Sequence, residues 1–311
     1  MPDTHLSHSG EVRGPDRSGA GAARVDDARG FRGPVSGERR FPLRAEPARG
    51  DGGLCPPDGA DEGSGPLPGG GRGASGAGRA DGGAFRTARG RGDKDGPCFA
   101  LAVPPDGYAW WYVDGISDDG TRAISVIAFI GSVFSPWYAW SGRRDPENHV
   151  CINVATYGRG GRFTMTDRGR AALRQSAQRF QVGPSALGWT GSELLIEVNE
   201  VAAPPLPGRV QGFIRLTPEA VTDVEMPLTP DGAHVWRPFA PVARIEVNMA
   251  APGWQWSGHG YLDANFGTRA LEADFARWSW GRYPVREGAL ATYDALRRDG
   301  ARARQVVEQH D

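Results

Sequence analysis

The chain carries the sequence Trp-Ser-Gly-His-Gly-Tyr-Leu-Asp-Ala-Asn at residues 256–265. Two closely spaced glycines disfavour a helix, so this segment is predicted to be a β-strand. Successive side chains of a strand point to opposite faces. His259, Tyr261 and Asp263 therefore share one face, and Trp256 lies on the other. Three groups that can hold or transfer a proton thus fall on a single face.

A second pair of residues with the same two-residue spacing lies upstream, at His234 and Trp236. In a strand these two side chains also share a face. We expect the two strands to line one apolar pocket in which Asp263 is an acid. The alternative for Asp263 is structural, because an Asp before Ala-Asn can end a strand in an Asx turn.

Outward from this segment, short runs of β-branched and aromatic residues alternate with Gly, Pro, Asn and Asp. The predicted strands span residues 108–116, 121–131, 149–157, 162–166, 174–183, 187–189, 193–201, 209–216, 234–236, 242–249, 254–262 and 278–283. Residues 135–140 are predicted to be an aromatic loop and residues 271–277 a short helix. Residues 289–298 are predicted to enter a hairpin, with an Ala- and Arg-rich helix as the alternative. This pattern is typical of an all-β sandwich or barrel.

A proline-rich segment at residues 203–207 predicts a boundary, because three prolines in four residues exclude a central strand. Residues 99–203 form the first predicted β domain, and residues 204–311 form the second, which carries Asp263. Residues 1–98 hold 24 of the 46 glycines and none of the ten tryptophans. They are predicted to be disordered, because they cannot bury enough apolar surface to offset the entropy of ordering.

Composition narrows the class of function. The formal net charge is −1, so nothing indicates binding to nucleic acid. Three cysteines without a Cys-x-x-Cys pair predict no disulfide framework and no zinc ribbon, which favours a reducing compartment. The chain start lacks a secretory signal, and its most apolar run, residues 124–134, is shorter than the ~20 residues of a membrane-spanning helix. No cofactor or metal is predicted, because no nucleotide loop or zinc-ligand cluster is present.

Five longer strings, in the same order, resemble the acyclic carotenoid 1,2-hydratases (hydroxyneurosporene synthases) of phototrophic bacteria. They are GYAWWYVD at 107–114, GSVFSP at 131–136, DPENH at 145–149, GPSAL at 183–187 and WSGHGYLD at 256–263. The resemblance, which runs from about residue 105 to residue 280, implies two consecutive lipocalin-like antiparallel β barrels or sandwiches. It also implies addition of water to the terminal C1–C2 double bond of neurosporene, lycopene and related carotenoids.

The residues thought to act in that family are a His and a Trp two apart, then a Tyr and an Asp two apart. Here they match His234, Trp236, Tyr261 and Asp263. The glycine-rich residues 1–98 depart from the family. The chain also ends soon after Trp280, where relatives are expected to continue, so the second domain is expected to be truncated.

This chemistry needs a proton delivered to carbon C2, which leaves the positive charge on tertiary C1 for capture by water. Burial raises the pKa of a carboxyl group by up to ~3–5 units, so Asp263 is expected to remain protonated near neutrality. Trp236 is predicted to stabilise the cation with its ring. His234 is predicted to activate the water and Tyr261 to support the carboxyl, although these two roles are interchangeable on the sequence alone.

His259, Trp256 and His149 are predicted to be pocket or supporting residues. The resulting prediction is a cofactor-independent hydro-lyase of carotenoid biosynthesis. A lipocalin-like carrier that binds an apolar ligand without chemistry is the alternative, because fold alone does not separate the two. Since the substrate dissolves in membranes, we expect peripheral association with the cytoplasmic side of the intracytoplasmic membrane, with residues 135–140 as a contact.

Overall fold

The computed structural model describes residues 6–8, 96–204, 207–285 and 288–310. The strands are β1 (Leu6–His8), β2 (Tyr108–Ser117), β3 (Ala123–Ile130), β4 (Val150–Tyr157), β5 (Phe163–Thr164), β6 (Leu173–Ser176), β7 (Arg179–Val182), β8 (Ser185–Trp189), β9 (Leu194–Val201), β10 (Arg209–Pro218), β11 (Met226–Pro227), β12 (His234–Ala251), β13 (Trp254–Gly267), β14 (Phe275–Val285), β15 (Gly288–Arg297) and β16 (Arg302–His310). All their pairings are antiparallel. The predicted all-β, antiparallel fold is confirmed.

A 12-stranded sheet forms most of the structure, in the order β5-β4-β3-β2-β13-β12-β10-β9-β8-β7-β6, with β11 paired to β12. The sheet curls on itself. This brings β2 and β7, which are distant in the strand order, into contact: the ring centroids of Trp111 and Phe180 are 5.0 Å apart. Its inner face encloses an apolar core that includes Val113, Leu216 and Ile245. Strands β9 and β10 pair on either side of the proline-rich segment, so both predicted domains contribute to this sheet. The boundary at residue 203 stays a prediction.

A smaller sheet, in the order β1-β14-β15-β16, packs on the opposite face of the large sheet. The layer between the two sheets is rich in aromatic side chains. The large sheet contributes Tyr108, Trp110, Tyr112, Phe129, Trp236 and Tyr261, and the small sheet contributes Phe275, Trp278, Trp280 and Tyr293. We call this set the aromatic layer.

Strand β13 lies at the centre of the large sheet, between β2 and β12, and its side chains alternate as predicted. Leu262 and Phe266 enter the apolar core, while Tyr261 enters the aromatic layer. Gly258 permits the close approach of β2, because a Cβ atom there would overlap the Ile116 carbonyl. The alternation places a polar face of β13 against the smaller sheet.

The three predictions for short segments had different outcomes. The predicted aromatic loop at 135–140 is instead a one-turn helix, α1 (Pro136–Trp140), whose N-cap Ser135 accepts a hydrogen bond from the Tyr138 amide; Ser is a strong N-cap residue and Pro suits the first helical position. The predicted helix at 271–277 is shorter, α2 (Leu271–Asp274), and β14 begins directly after it. The predicted hairpin at the end is confirmed, because β15 and β16 pair along their length.

The prediction that residues 1–98 are disordered falls almost wholly outside the described residues; within them, β1 pairs with β14. Cys98 is disulfide-bonded. A single disulfide is not a disulfide framework, so the absence of a framework and the reducing compartment stay predictions. Cys151 is a free, buried thiol.

Within the described ranges, no helix combines the length and apolar character needed to cross a bilayer.

Candidate active site

Asp263 lies in the aromatic layer at the centre of β13, with 2% of its surface exposed. Its Oδ2 accepts hydrogen bonds from Trp236 Nε1 and from the Tyr261 hydroxyl, both at 2.9 Å. The pKa of Asp263 is raised to about 7, mainly by burial; these two hydrogen bonds lower it and the charge of the nearby Asp114 raises it. Near neutrality, a large fraction of the carboxyl groups therefore holds a proton.

A small cavity of about 40 Å³ borders Asp263. It is lined by Trp110, Tyr112, Ile127, Phe129, Phe134, Asp263, Asn265, Trp278, Trp280 and Tyr293. This volume suits water molecules but not the branched end of an isoprenoid chain. The end of an isoprenoid chain can therefore enter only if side chains of the cavity wall move.

A groove of about 1000 Å³ is lined by residues of β2, β3, β4 and β5 and of the loops beside them. Its wall is mostly apolar and includes Ala155 of β4, Phe163 of β5 and Met165, which follows β5. Ile127 and Phe134 line both this groove and the small cavity. The two spaces are therefore adjacent.

His234 is fully buried and both of its ring nitrogens are engaged. Nδ1 lies 2.8 Å from the Tyr108 hydroxyl and Nε2 lies 2.8 Å from Asp274 Oδ2. Burial lowers the pKa of His234, although the hydrogen bond and charge of Asp274 raise it. The neutral ring donates from Nε2 to the Asp274 carboxylate, so Nδ1 accepts from Tyr108.

Of the four predicted catalytic residues, the structure joins Trp236, Tyr261 and Asp263 at one carboxylate oxygen. His234 is two residues before Trp236 on β12, but it hydrogen-bonds to Tyr108 and Asp274 and is not part of the cavity wall. The catalytic roles of all four residues stay predictions.

The three predicted supporting residues lie away from this cavity. The His259 side chain is exposed, and Trp256 packs against the apolar core inside the large sheet. His149 contacts Asp167 at 3.3 Å and the ring of Tyr138. The structure does not bring any of them to Asp263.

The sequence analysis missed several groups around the cavity. Asn265 follows Asp263 by two residues, so the same alternation that pairs Tyr261 with Asp263 would have found it. Asp114 is buried and forms an ion pair of 2.7 Å with Arg282 of β14. No sequence signal predicts this pair, because it depends on how the smaller sheet docks.

Within the described part of the chain, no group of three His, Cys, Asp or Glu residues is placed to hold a metal ion.

The fold and cavity together define an all-β protein that buries a protonatable carboxyl group among aromatic rings. The family model described as carotenoid hydratase CrtC matches residues 126–311. The chain belongs to this CrtC carotenoid hydratase family, which confirms the resemblance inferred from the sequence.

Three relatives described as acyclic carotenoid 1,2-hydratases show the extent of the likeness. The protein of Cereibacter sphaeroides is 66% identical over 177 residues, which are 57% of this chain and 63% of that protein. The protein of Rhodobacter capsulatus is 61% identical over 183 residues, 59% of this chain and 65% of that protein. The protein of Thiocapsa roseopersicina is 45% identical over 298 residues, 94% of this chain and 73% of that protein. The chain thus spans just under two thirds of the length of the first two relatives.

Proposed function

We propose that the chain is a hydro-lyase that adds water across the terminal C1–C2 double bond of acyclic carotenoids to give 1-hydroxy carotenoids. The observation that carries this proposal is the environment of Asp263. Its carboxyl group is buried, has a pKa raised to about 7, and receives hydrogen bonds from Trp236 and Tyr261, which are neutral donors. Such a group can hold a proton at neutral pH and release it to carbon.

In the proposed reaction, the Asp263 carboxyl group donates its proton to C2 of the olefin. The positive charge then lies on tertiary C1, and water adds there. The Trp236 N–H and the Tyr261 O–H hydrogen-bond to Oδ2, so they stabilise the carboxylate that forms as the proton leaves. This offsets the cost of producing an anion in an apolar site.

The cation at C1 needs stabilisation by groups that do not bond to it. The rings of Trp110, Trp278 and Trp280 line the cavity, and aromatic faces attract a desolvated cation by about 2 kcal/mol or more. Trp236 directs its N–H to Asp263 and is not part of the cavity wall. We therefore propose that Trp236 acts as a hydrogen-bond donor and that the wall tryptophans face the cation.

The role of His234 as a general base stays a prediction. Its hydrogen bonds support a positioning role instead. His234 holds the hydroxyl of Tyr108, whose ring stacks on Trp110 of the cavity wall with 5.0 Å between centroids. A neutral His234 fixed by Asp274 would thereby set the position of that wall.

The adjacent groove gives the proposal a place for the long polyene. The terminal double bond must reach Asp263 while the rest of the chain stays out of water. The groove is apolar and shares Ile127 and Phe134 with the cavity. Phe134 is 40% exposed, so we propose that it moves aside when the olefin end enters.

Product analysis tests this function. Cells that make lycopene or neurosporene should accumulate the 1-hydroxy derivative when they express the chain. Asp263→Asn should lower hydration by at least about 10³-fold, because an amide cannot donate a proton to carbon. Asp118→Asn is the matched control, since Asp118 is exposed and pairs with Arg244 on the surface; it should hydrate normally.

A carrier without catalysis gives the opposite pattern. The carotenoid would be retained without chemical change, and Asp263→Asn would behave like the wild type. Absence of the hydroxy product with the wild-type chain, or full activity of Asp263→Asn, would exclude the proposed reaction.

We also propose that α1 contacts the membrane in which the substrate dissolves. Trp137 and Trp140 are 57% and 65% exposed, and tryptophan favours the interface of a bilayer. The double variant Trp137→Ala/Trp140→Ala should sediment with phosphatidylcholine vesicles at least about fivefold less than the wild type. Phe213→Ala, which alters an equally exposed ring on β10, should sediment normally. Equal loss in both variants would contradict the role of α1.

A further inference from the structure

Within the described residues, three polar atoms at the cavity have no hydrogen-bond partner: Asn265 Oδ1 and the Nε1 atoms of Trp278 and Trp280. Asn265 is 2% exposed, and its Nδ2 donates a long hydrogen bond of 3.4 Å to Asp263 Oδ1, whereas its Oδ1 has no partner. The Nε1–H of Trp278 is also buried without a partner. Both residues line the Asp263 cavity. Buried polar groups are nearly always satisfied, so an acceptor and a donor left open at one cavity indicate a polar ligand there.

The size of the cavity indicates that this polar ligand is water. About 40 Å³ holds water but little else, and a buried water needs two to four polar partners. Asn265 Oδ1 offers an acceptor and Trp278 Nε1 a donor. The Asp263 carboxyl group is another polar partner on the same wall. The other side chains of the wall are mainly aromatic and aliphatic.

We propose that Asn265 is a further catalytic residue, which holds through Oδ1 the water molecule that adds to C1. This inference rests on the proposed hydration. The water donates one hydrogen to Asn265 Oδ1 and accepts from Trp278 Nε1–H. Its second lone pair remains free to bond to carbon, and its second hydrogen remains free to leave.

A single acid is sufficient to balance the protons of this reaction. Asp263 gives its proton to C2 and becomes a carboxylate, while the π electrons of C1=C2 form the new C–H bond. The lone pair of the water forms the C1–O bond. The resulting oxonium returns one proton to the Asp263 carboxylate, which restores the starting acid. Asn265 accepts a hydrogen bond without taking the proton, so no second base is required.

The placement of the two residues fits this sequence of steps. Asp263 and Asn265 are two apart on β13, so they share a face and lie about 7 Å apart along the strand. Asn265 is opposite Trp236 of β12, and Asp263 is opposite Tyr112 of β2. Both neighbouring strands therefore hold β13 in place, and the acid and the water site are fixed relative to each other.

The test separates protonation from water capture. In D₂O the acid delivers a deuteron to C2, and a cation that is not captured loses a proton and returns to olefin that carries deuterium. In Asn265→Ala, hydration should fall by about tenfold or more, while deuterium continues to enter the recovered olefin. The ratio of exchange to hydration, measured by mass spectrometry, should therefore rise by about tenfold.

The control is Asn199→Ala. Asn199 is exposed on β9 and lines neither the large groove nor the Asp263 cavity. Its ratio of exchange to hydration should equal that of the wild type. If Asn265→Ala does not fold, as judged by thermal melting, Trp278→Phe keeps the ring and removes the N–H, and its ratio should rise by several-fold.

The outcomes distinguish this inference from the function on which it rests. A wild-type chain that forms no hydroxy product contradicts the proposed function itself. A wild-type chain that hydrates, with variants in which exchange and hydration fall equally, shows that Asn265 and Trp278 have structural roles only and overturns the inference.

Discussion

Two carboxyl groups on neighbouring strands have opposite surroundings. Asp114 of β2 and Asp263 of β13 are both buried in contact with the aromatic layer. Asp114 forms an ion pair with Arg282, whereas Asp263 accepts hydrogen bonds from the neutral groups of Trp236 and Tyr261. The partners of Asp263 are neutral donors, which leave the proton of a buried carboxyl group transferable. The same residue type thus supports structure at one position and, as we propose, chemistry at the other.

The largest difference in stability should come from replacing each of the two carboxyl groups by an amide in turn. Asp114→Asn leaves the Arg282 guanidinium, which is 3% exposed, without its counter-ion. We expect the free energy of unfolding to fall by about 3–5 kcal/mol, as for other broken buried pairs. Urea denaturation at pH 7 measures this.

Asp263→Asn is the matched comparison, because it makes the same chemical change without breaking an ion pair. Its free energy of unfolding should stay within about 1 kcal/mol of the wild type. Similar losses in both variants would mean that the two carboxyl groups have equivalent surroundings.

The second prediction concerns pH. Burial raises the pKa of Asp263 from 3.8 to about 7, so between these values the folded protein binds more protons than the unfolded chain. The contribution of Asp263 to stability is therefore fully present below about pH 4 and is lost as pH rises to about 7. The stability difference between wild type and Asp263→Asn should decline across this window by up to about 1.4 kcal/mol per pH unit.

Denaturation curves from pH 4.5 to 8 provide the measurement, and the difference should level off above pH 7. A difference that is constant over the whole range would show that the Asp263 carboxyl group titrates as it does in the unfolded chain. The idea of a proton-holding acid would then fail.

The smallest effect on hydration is expected at Asp274. Burial raises the pKa of Asp274, but hydrogen bonds and charge from His234 and Arg269 outweigh it and lower the pKa to about 2. Asp274→Asn should destabilise the fold by about 1–2 kcal/mol, because Asp274 and Arg269 are only partly shielded from water. Hydration should fall by less than about tenfold, since His234 keeps a hydrogen-bond partner. A loss as large as that of Asp263→Asn would instead support His234 as a base.

The periodicity of the chain was sufficient to predict most strands, the final hairpin and the side-chain alternation of β13. Local patterns failed where the outcome depended on contacts distant in sequence. α1 forms where a loop was predicted because Ser135 and Pro136 provide a helix start, and the apolar face of Tyr138 then finds a buried position.

The amino-acid sequence by itself determined the family, the antiparallel β class and the sharing of one strand face by Tyr261 and Asp263. These follow from a two-residue period and from strings of residues, which are properties of the chain taken in order. Only the tertiary structure decided that Trp236 and Tyr261 meet at one oxygen of Asp263, that His234 turns to Tyr108 and Asp274, and that Arg282 neutralises Asp114. The physical reason is that burial and hydrogen-bond partners, which set the charge of a carboxyl group, depend on how the smaller sheet packs on the larger one.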